Sequence, residues 1–352
     1  MAFEERVKEL AAEVEGADTE AAEAAKRRHA ALAKPPGSLG RLEELGVRLA
    51  GSAGECPPPI PSAPAVVIAA GDHGVLGRGV SPWPAEVTAA MVANFCAGGA
   101  AANALAKTAG ARVTVLDVGV ASDLPRHPML RSAKVRPGTA DMSREPAMSR
   151  EEAARAVMAG SGVVEELVES GGVDLLVPGD MGIGNTAPAA ALISAFSGGP
   201  PSEVTGRGTG IDDETLSLKV GVIEEALALH EPDPADPLGV LAAVGGLEHT
   251  ALAGVILTSA VYRVPVVLDG VSSVAAALAA RAFAPESVDH TFAGHLSAEP
   301  GAGVGLERLG LSPLLDLDLR LGEGTGGLLA VPIVQSAARV LSEMATLEEI
   351  GA

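Results

Sequence analysis

One carboxylate stands among four glycines in the run Arg320-Leu321-Gly322-Glu323-Gly324-Thr325-Gly326-Gly327. Glycine lets backbone approach a ligand closely and takes up dihedrals that other residues avoid. Glu323 therefore reads as a base held at the mouth of a pocket with no rival carboxylate beside it. The plainer reading is a tight strand-to-helix turn carrying a solvated Glu. Further glycine-rich segments upstream favour a site. Gly179-Asp180-Met181-Gly182-Ile183-Gly184-Asn185-Thr186 follows an apolar run and opens a helical one, with Asn185 and Thr186 placed to cap it. Free backbone N–H groups added to a helix dipole make a phosphate cradle. It is not a Walker loop, because no G-x-x-x-x-G-K-[ST] occurs in the chain. Gly206-Arg207-Gly208-Thr209-Gly210 precedes Lys219, which either neutralises a phosphate or is an ordinary surface lysine. Asp72-His73-Gly74 suggests a base or a metal ligand, or simply a hydrogen-bonded pair closing a strand. No second ligand lies at metal spacing, and His249, His290 and His295 are scattered, so no metal site and no cofactor are expected.

These segments need a scaffold, and the intervening sequence supplies a regular one. Short β-branched runs at 65–69, 112–118, 173–177, 264–268 and 288–292 alternate with helix-length stretches at 85–109, 150–170, 212–230, 237–262 and 271–283. Continuously apolar strands alternating with helices predict an α/β fold, a doubly wound parallel sheet covered on both faces. In such sheets ligands sit at the carboxyl ends of the strands, where Asp72, Asp180, Asp269-Gly270 and Gly294-His295-Leu296-Ser297 fall. Asp316 and Asp318 lie two apart, so on a strand both would face one side. Residues 1–50 read as helices, 51–64 as a Pro/Gly-rich linker, and 328–344 as a final helix. The expected division is a small helical domain built from 1–60 and 328–352, and a large α/β domain over 61–327.

Composition narrows the function classes. Of the 352 residues 47% are hydrophobic, enough for a substantial core. With one Trp, one Tyr and five Phe, that core must be Ala, Val, Leu and Ile packed around close glycine contacts. A net charge of −20 disfavours nucleic acid and anionic membrane as partners. An anionic small molecule still fits, provided a local pocket of N–H groups outweighs the distant charge. Cys56 and Cys96 show no redox or metal spacing, and the charged N-terminus is unlike a secretory signal. The apolar run 251–262 is too short to span a bilayer. The expected location is the cytoplasm.

Lys34-Pro35-Pro36-Gly37-Ser38-Leu39-Gly40-Arg41-Leu42-Glu43, Asp72-His73-Gly74-Val75, 182–186, Leu268-Asp269-Gly270, Ser297-Ala298-Glu299 and 320–324 span most of the chain in order. In these segments the sequence resembles the nicotinate-nucleotide–dimethylbenzimidazole phosphoribosyltransferases. The resemblance implies a homodimer that moves the phosphoribosyl group of nicotinate mononucleotide to 5,6-dimethylbenzimidazole, giving α-ribazole 5′-phosphate and nicotinate in cobalamin nucleotide-loop assembly. It implies Glu323 as catalytic base. Asp180, Met181, Gly182, Asn185, Lys219 and Ser297 match the nucleotide and phosphate side, and Trp83, Met91 and Leu321 the base pocket. Asp180 stands where longer Glu occurs in relatives, a candidate second acid near the ribose. The indole of Trp83 can stack on a flat base. An unperturbed Glu would already be ionised at neutral pH. Two other classes stay open: a nucleoside or nucleotide N-glycosidase using Asp180 and Glu323 as a pair, and a non-catalytic nucleotide-binding protein.

Overall fold

The computed structural model describes residues 2–351. Three helices, α1 (Phe3–Ala12), α2 (Thr19–Ala31) and α3 (Arg41–Ala53), precede the first strand, β1 (Pro64–Gly71). Helices α4 (Glu86–Ala97) and α5 (Ala101–Ala109) lead to β2 (Arg112–Gly119) and β3 (Leu130–Ser132). After α6 (Arg150–Glu169) come β4 (Leu175–Met181), α7 (Thr186–Ser197), the single turn α8 (Pro201–Val204), α9 (Asp213–His230), α10 (Pro237–Val244) and α11 (Leu247–Val261). The chain continues through β5 (Val266–Leu268), α12 (Val271–Phe283), β6 (Thr291–Ala293), β7 (His295–Leu296), α13 (Pro300–Leu309) and β8 (Leu315–Asp316) to α14 (Thr325–Glu343).

Six strands form one parallel sheet in the order β3-β2-β1-β4-β5-β6, and β7 pairs with β8 beside it. The chain winds outward in one direction from β1 to β3 and in the other from β4 to β6, so the crevice between β1 and β4 is the switch point where ligands enter such folds. Alternation along β1 divides the interior into two cores. Ala65, Val67 and Ala69 face α6, α7, α11 and α12, whereas Val66, Ile68 and Ala70 face α3, α4, α5 and α14. Both faces are covered, which is why these strands read as unbroken apolar runs.

Two stretches expected as single helices are each two. Gly98 takes the left-handed conformation (φ 79°) and separates α4 from α5, and the chain leaves helical geometry at Gly245-Gly246 between α10 and α11. The stretch Glu86–Ala109 has the length and apolarity of a membrane span, yet the turn at Gly98 folds it into two short helices that both contact the sheet. The 288–292 run begins in a 3-10 turn (Pro285–His290), and only its end is strand. Asp318 lies beyond β8 with φ 54°, so it does not share a strand face with Asp316.

Scarce aromatics are offset by close helix contact. Where α6 crosses α11, a Cβ on Gly160 would stand 1.9 Å from the Ala251 carbonyl oxygen, and one on Gly254 2.0 Å from that of Val157. Gly160→Ala must push the helices apart, and overpacking of this kind costs about 1–3 kcal/mol. The expected result is a lowered midpoint in urea or thermal unfolding with the same fold by circular dichroism.

The chain ends meet. Leu32 and Thr346 form an antiparallel bridge, and Ala25, Ala50 and Leu341 make a small apolar cluster between α2, α3 and α14. The first half of α14 (Leu328, Val331, Val334) packs on the sheet instead, and α1 lies on α6.

Candidate active site

A cavity opens at the carboxyl ends of β4 and β5, with Val80, Ser81 and Trp83, from the segment that follows β1, in its wall. Its centre is the segment after β4. A Cβ on Gly179 would lie 2.7 Å from the carbonyl carbon of Glu323, so glycine here lets the 320–324 loop run directly across the strand end. Asp180 follows, buried, with its Oδ2 accepting a hydrogen bond from the Asn185 side chain. Asn185 occupies the N-cap position of α7 but spends its side chain on Asp180 and makes no cap bond. Thr186 likewise turns its hydroxyl to Lys219.

One end of the cavity is cationic. Lys219, carried by α9, reaches inward and donates to Thr186 Oγ1 (2.7 Å) and the Gly206 carbonyl (3.0 Å). It is buried and not a surface lysine, and burial pushes its pKa down to about 8, opposed by the nearby Glu299 carboxylate. Glu299 Oε1 accepts from the Gly208 amide at 2.7 Å and so fixes the 206–210 loop. Arg207 and Arg320 line the same end, Arg320 donating to the Gly208 carbonyl at 3.2 Å. Ser297 also lines the cavity, its hydroxyl donating to the Leu319 carbonyl at 3.2 Å.

The other end is apolar at its mouth and acidic behind it. Trp83 is 51% exposed and Leu321 53% exposed, and both line the cavity. The indole N–H of Trp83 donates to Thr209 Oγ1 at 3.1 Å, linking the two ends. Gly322 lines the wall, and Glu323 stands immediately behind it, 5% exposed, its Oε2 accepting from the Ala102 amide at 3.3 Å. That amide belongs to the first turn of α5, whose dipole favours a carboxylate. Even so, burial, with the Asp180 and Asp269 charges adding to it, raises the Glu323 carboxyl above the ordinary glutamate value. The expectation of an unperturbed Glu is thereby corrected: three acids share a partly dry space. Met91 and Met181 are not in the wall of the open cavity; both are half-buried and pack against the apolar face that holds α5 and α14.

Beneath the switch point lies a buried network that the sequence did not disclose. His73 Nε2 lies 3.0 Å and His249 Nδ1 2.7 Å from Glu248 Oε1. Burial alone would raise Glu248 and lower His73; the mutual attraction reverses both, so Glu248 is lowered and His73 raised. Burial also raises Asp180, where the His249 charge opposes it. Asp72 does not pair with its neighbour: its Oδ2 accepts from the Ala121 amide at 2.7 Å. The available signal was Glu248-His249, two titratable residues opening an otherwise apolar helix. Among the described residues no three His, Cys, Asp or Glu side chains converge in a geometry that would hold a metal ion.

Comparison with known proteins adds an independent line. A family model described as phosphoribosyltransferase matches residues 14–351. A protein of Salinispora tropica named nicotinate-nucleotide–dimethylbenzimidazole phosphoribosyltransferase is 58% identical, the match covering 91% of this chain and 92% of that one. A Chloroflexus aggregans protein of the same name is 56% identical over 95% of this chain and 94% of its own. The crystal structure of CobT from Thermus thermophilus superposes with a TM-score of 0.91 at 50% identity, covering 95% of this chain and 99% of that one.

Proposed function

Because the chain belongs to the nicotinate-nucleotide–dimethylbenzimidazole phosphoribosyltransferase family, we propose that it transfers the phosphoribosyl group of nicotinate mononucleotide to 5,6-dimethylbenzimidazole with inversion. The products are nicotinate and α-ribazole 5′-phosphate, the nucleotide of the cobalamin lower ligand. The observation that carries this reading is a cavity with two unlike ends: a buried lysine against the glycine-rich 206–210 loop at one, the desolvated Glu323 carboxylate behind apolar walls at the other. The first suits a phosphate and the second an N–H acid on a flat ring.

The chemistry follows from the substrates. The pyridinium of nicotinate mononucleotide leaves as a neutral ring, so its departure requires no general acid. Glycosidases, by contrast, pair two carboxylates in complementary roles. One base suffices here. Glu323 takes the imidazole N–H proton while the other ring nitrogen forms the bond to the anomeric carbon, and the pyridine nitrogen keeps the electrons of the bond that breaks. Attack opposite the leaving group converts β to α. Lys219, Ser297, Gly182 and Asn185 hold the phosphoribosyl unit, with Asp180 beside the ribose where positive charge develops. Trp83 and Leu321 form the entrance for the base. Met91 contacts the ring only if it passes beyond the open cavity, towards Glu323; Met181, expected on the nucleotide side, packs against the same apolar face behind the wall. No cofactor enters these steps.

The same reading takes the protein as a cytoplasmic homodimer acting on small molecules. It also takes 1–60 with 328–352 as a helical unit and 61–327 as the α/β unit. The bridge between Leu32 and Thr346 supports that division, while α1, packed on α6, straddles it.

The decisive assay follows nicotinate release by chromatography, with and without dimethylbenzimidazole. Release is expected only with the base, together with α-ribazole 5′-phosphate. Base-independent release with ribose 5-phosphate would make the protein a hydrolase, and binding of the nucleotide without release would make it a non-catalytic binder.

A further inference from the structure

We infer that Asp269 is a positioning residue for Glu323: its carboxylate holds the 322–327 turn in the conformation that presents the base. The inference rests on the reading of Glu323 as proton acceptor. Gly322, Glu323 and Gly324 have φ of 83°, 62° and 84°, three successive residues in the left-handed region, and the middle one is not glycine. Such a backbone persists only where its surroundings over-determine it. Local sequence does little of this. Gly324 is the N-cap of α14 and has no side chain to cap with, and the local side-chain bond is Thr325 Oγ1 to the Gly322 carbonyl at 2.8 Å.

The missing cap comes from another strand. Asp269, buried just past β5, accepts from the Gly324 amide through Oδ2 (3.0 Å) and from the Gly326 and Gly327 amides through Oδ1 (2.7 and 3.4 Å). His295 Nε2 stands 3.3 Å from the same Oδ1, packed against Gly326. Three of the donors that an α-helix leaves unpaired at its start are thus satisfied by one side chain some 55 residues upstream. The groups acting on Glu323 are the Ala102 amide on α5, Asp180 at the end of β4, and Asp269 itself. Asp269 therefore does two things, fixing where the base stands and adding to the negative field around it.

Asp269→Asn separates this role from a merely structural one. It keeps the size and one acceptor but sets an amide NH₂ against a backbone N–H. With the base mispositioned, kcat for transfer is expected to fall by about 100-fold, while KM for nicotinate mononucleotide stays within about threefold. The acid limb of the rate profile is expected to move to lower pH, because one charge that raises Glu323 is gone. Placed on Glu323→Gln, the substitution is expected to add no further loss, since it acts only through that residue. Near-normal kcat, an unmoved acid limb, or an equal loss on the Glu323→Gln background would each overturn the proposal. Should Asp269→Asn not fold, amide hydrogen exchange of 322–327 in the unaltered protein decides: slow exchange is expected, and exchange at the rate of an unstructured peptide refutes it. If Glu323→Gln is itself active, the reading of the base fails; if that variant is inactive while Asp269→Asn is normal, only the role of Asp269 fails.

Discussion

Glu323→Gln is expected to lower single-turnover release of nicotinate by about 10²–10⁴-fold, the range that a positioned base contributes, while nicotinate mononucleotide still binds. Gln keeps an oxygen that can accept from the Ala102 amide, so the turn and the nucleotide end of the cavity stay as they are. Only the proton acceptor is lost. Calorimetric titration with the nucleotide and rapid-quench measurement of product separate the two effects, and near-normal turnover would remove Glu323 as the base. The pH dependence gives a second reading. Burial and the neighbouring Asp180 and Asp269 raise the Glu323 carboxyl, so the rate falls on the acid side at a pH above the ordinary glutamate range, and this limb disappears in the variant. The same shift fixes the sign for stability. A carboxyl whose folded pKa exceeds its unfolded one costs stability once ionised; the cost is absent below the ordinary value and complete above the raised one. At neutral pH Glu323→Gln is therefore expected to melt higher than the parent, the usual exchange of stability for function at an active site.

Lys219→Met is expected to act at the opposite end and on the other kinetic constant. A buried cation paired with a phosphate contributes about 2–5 kcal/mol on truncation of one partner, so KM for the nucleotide should rise at least about 30-fold. Turnover at saturation should change little, as expected when binding is lost equally from ground and transition states. The unaltered enzyme should show the same lysine in its pH profile. Burial brings Lys219 to about 8, so kcat/KM for the nucleotide falls as the pH rises through that value and the cation is lost. In the methionine variant that limb should be missing. A nucleotide KM unchanged by the substitution would exclude Lys219 from phosphate recognition.

Taken together, the two expected outcomes would give the cavity a direction, from a phosphate held by Lys219 to a proton removed by Glu323. Trp83 belongs to neither end alone, because its indole donates to Thr209 in the 206–210 loop while its ring lines the apolar mouth.

Periodicity alone identifies strands β1, β2 and β4, helices α6, α9 and α12, and the doubly wound class, because apolar spacing is written into contiguous residues. The glycine-flanked acids Asp180 and Glu323 and the KPPGSLGRLE segment are legible for the same reason: each is a local pattern. What stayed hidden has its partners far along the chain. Spacing leaves Lys219 either a phosphate ligand or a surface residue until α9 folds back on Thr186, 33 positions upstream. Glu248 and His249 look like polar interruptions of an apolar helix until His73 arrives from the end of β1. Asp269 gains its meaning only when β5 sets it beneath the start of α14. The order β3-β2-β1-β4-β5-β6 sets the ends of β1, β4 and β5 side by side, so that Glu323, Asp180 and Asp269 meet there. Spacing along a chain encodes which face of an element is apolar. It does not encode which elements become neighbours, and the desolvation that shifts Lys219 and Glu323 exists only once those neighbours have excluded water.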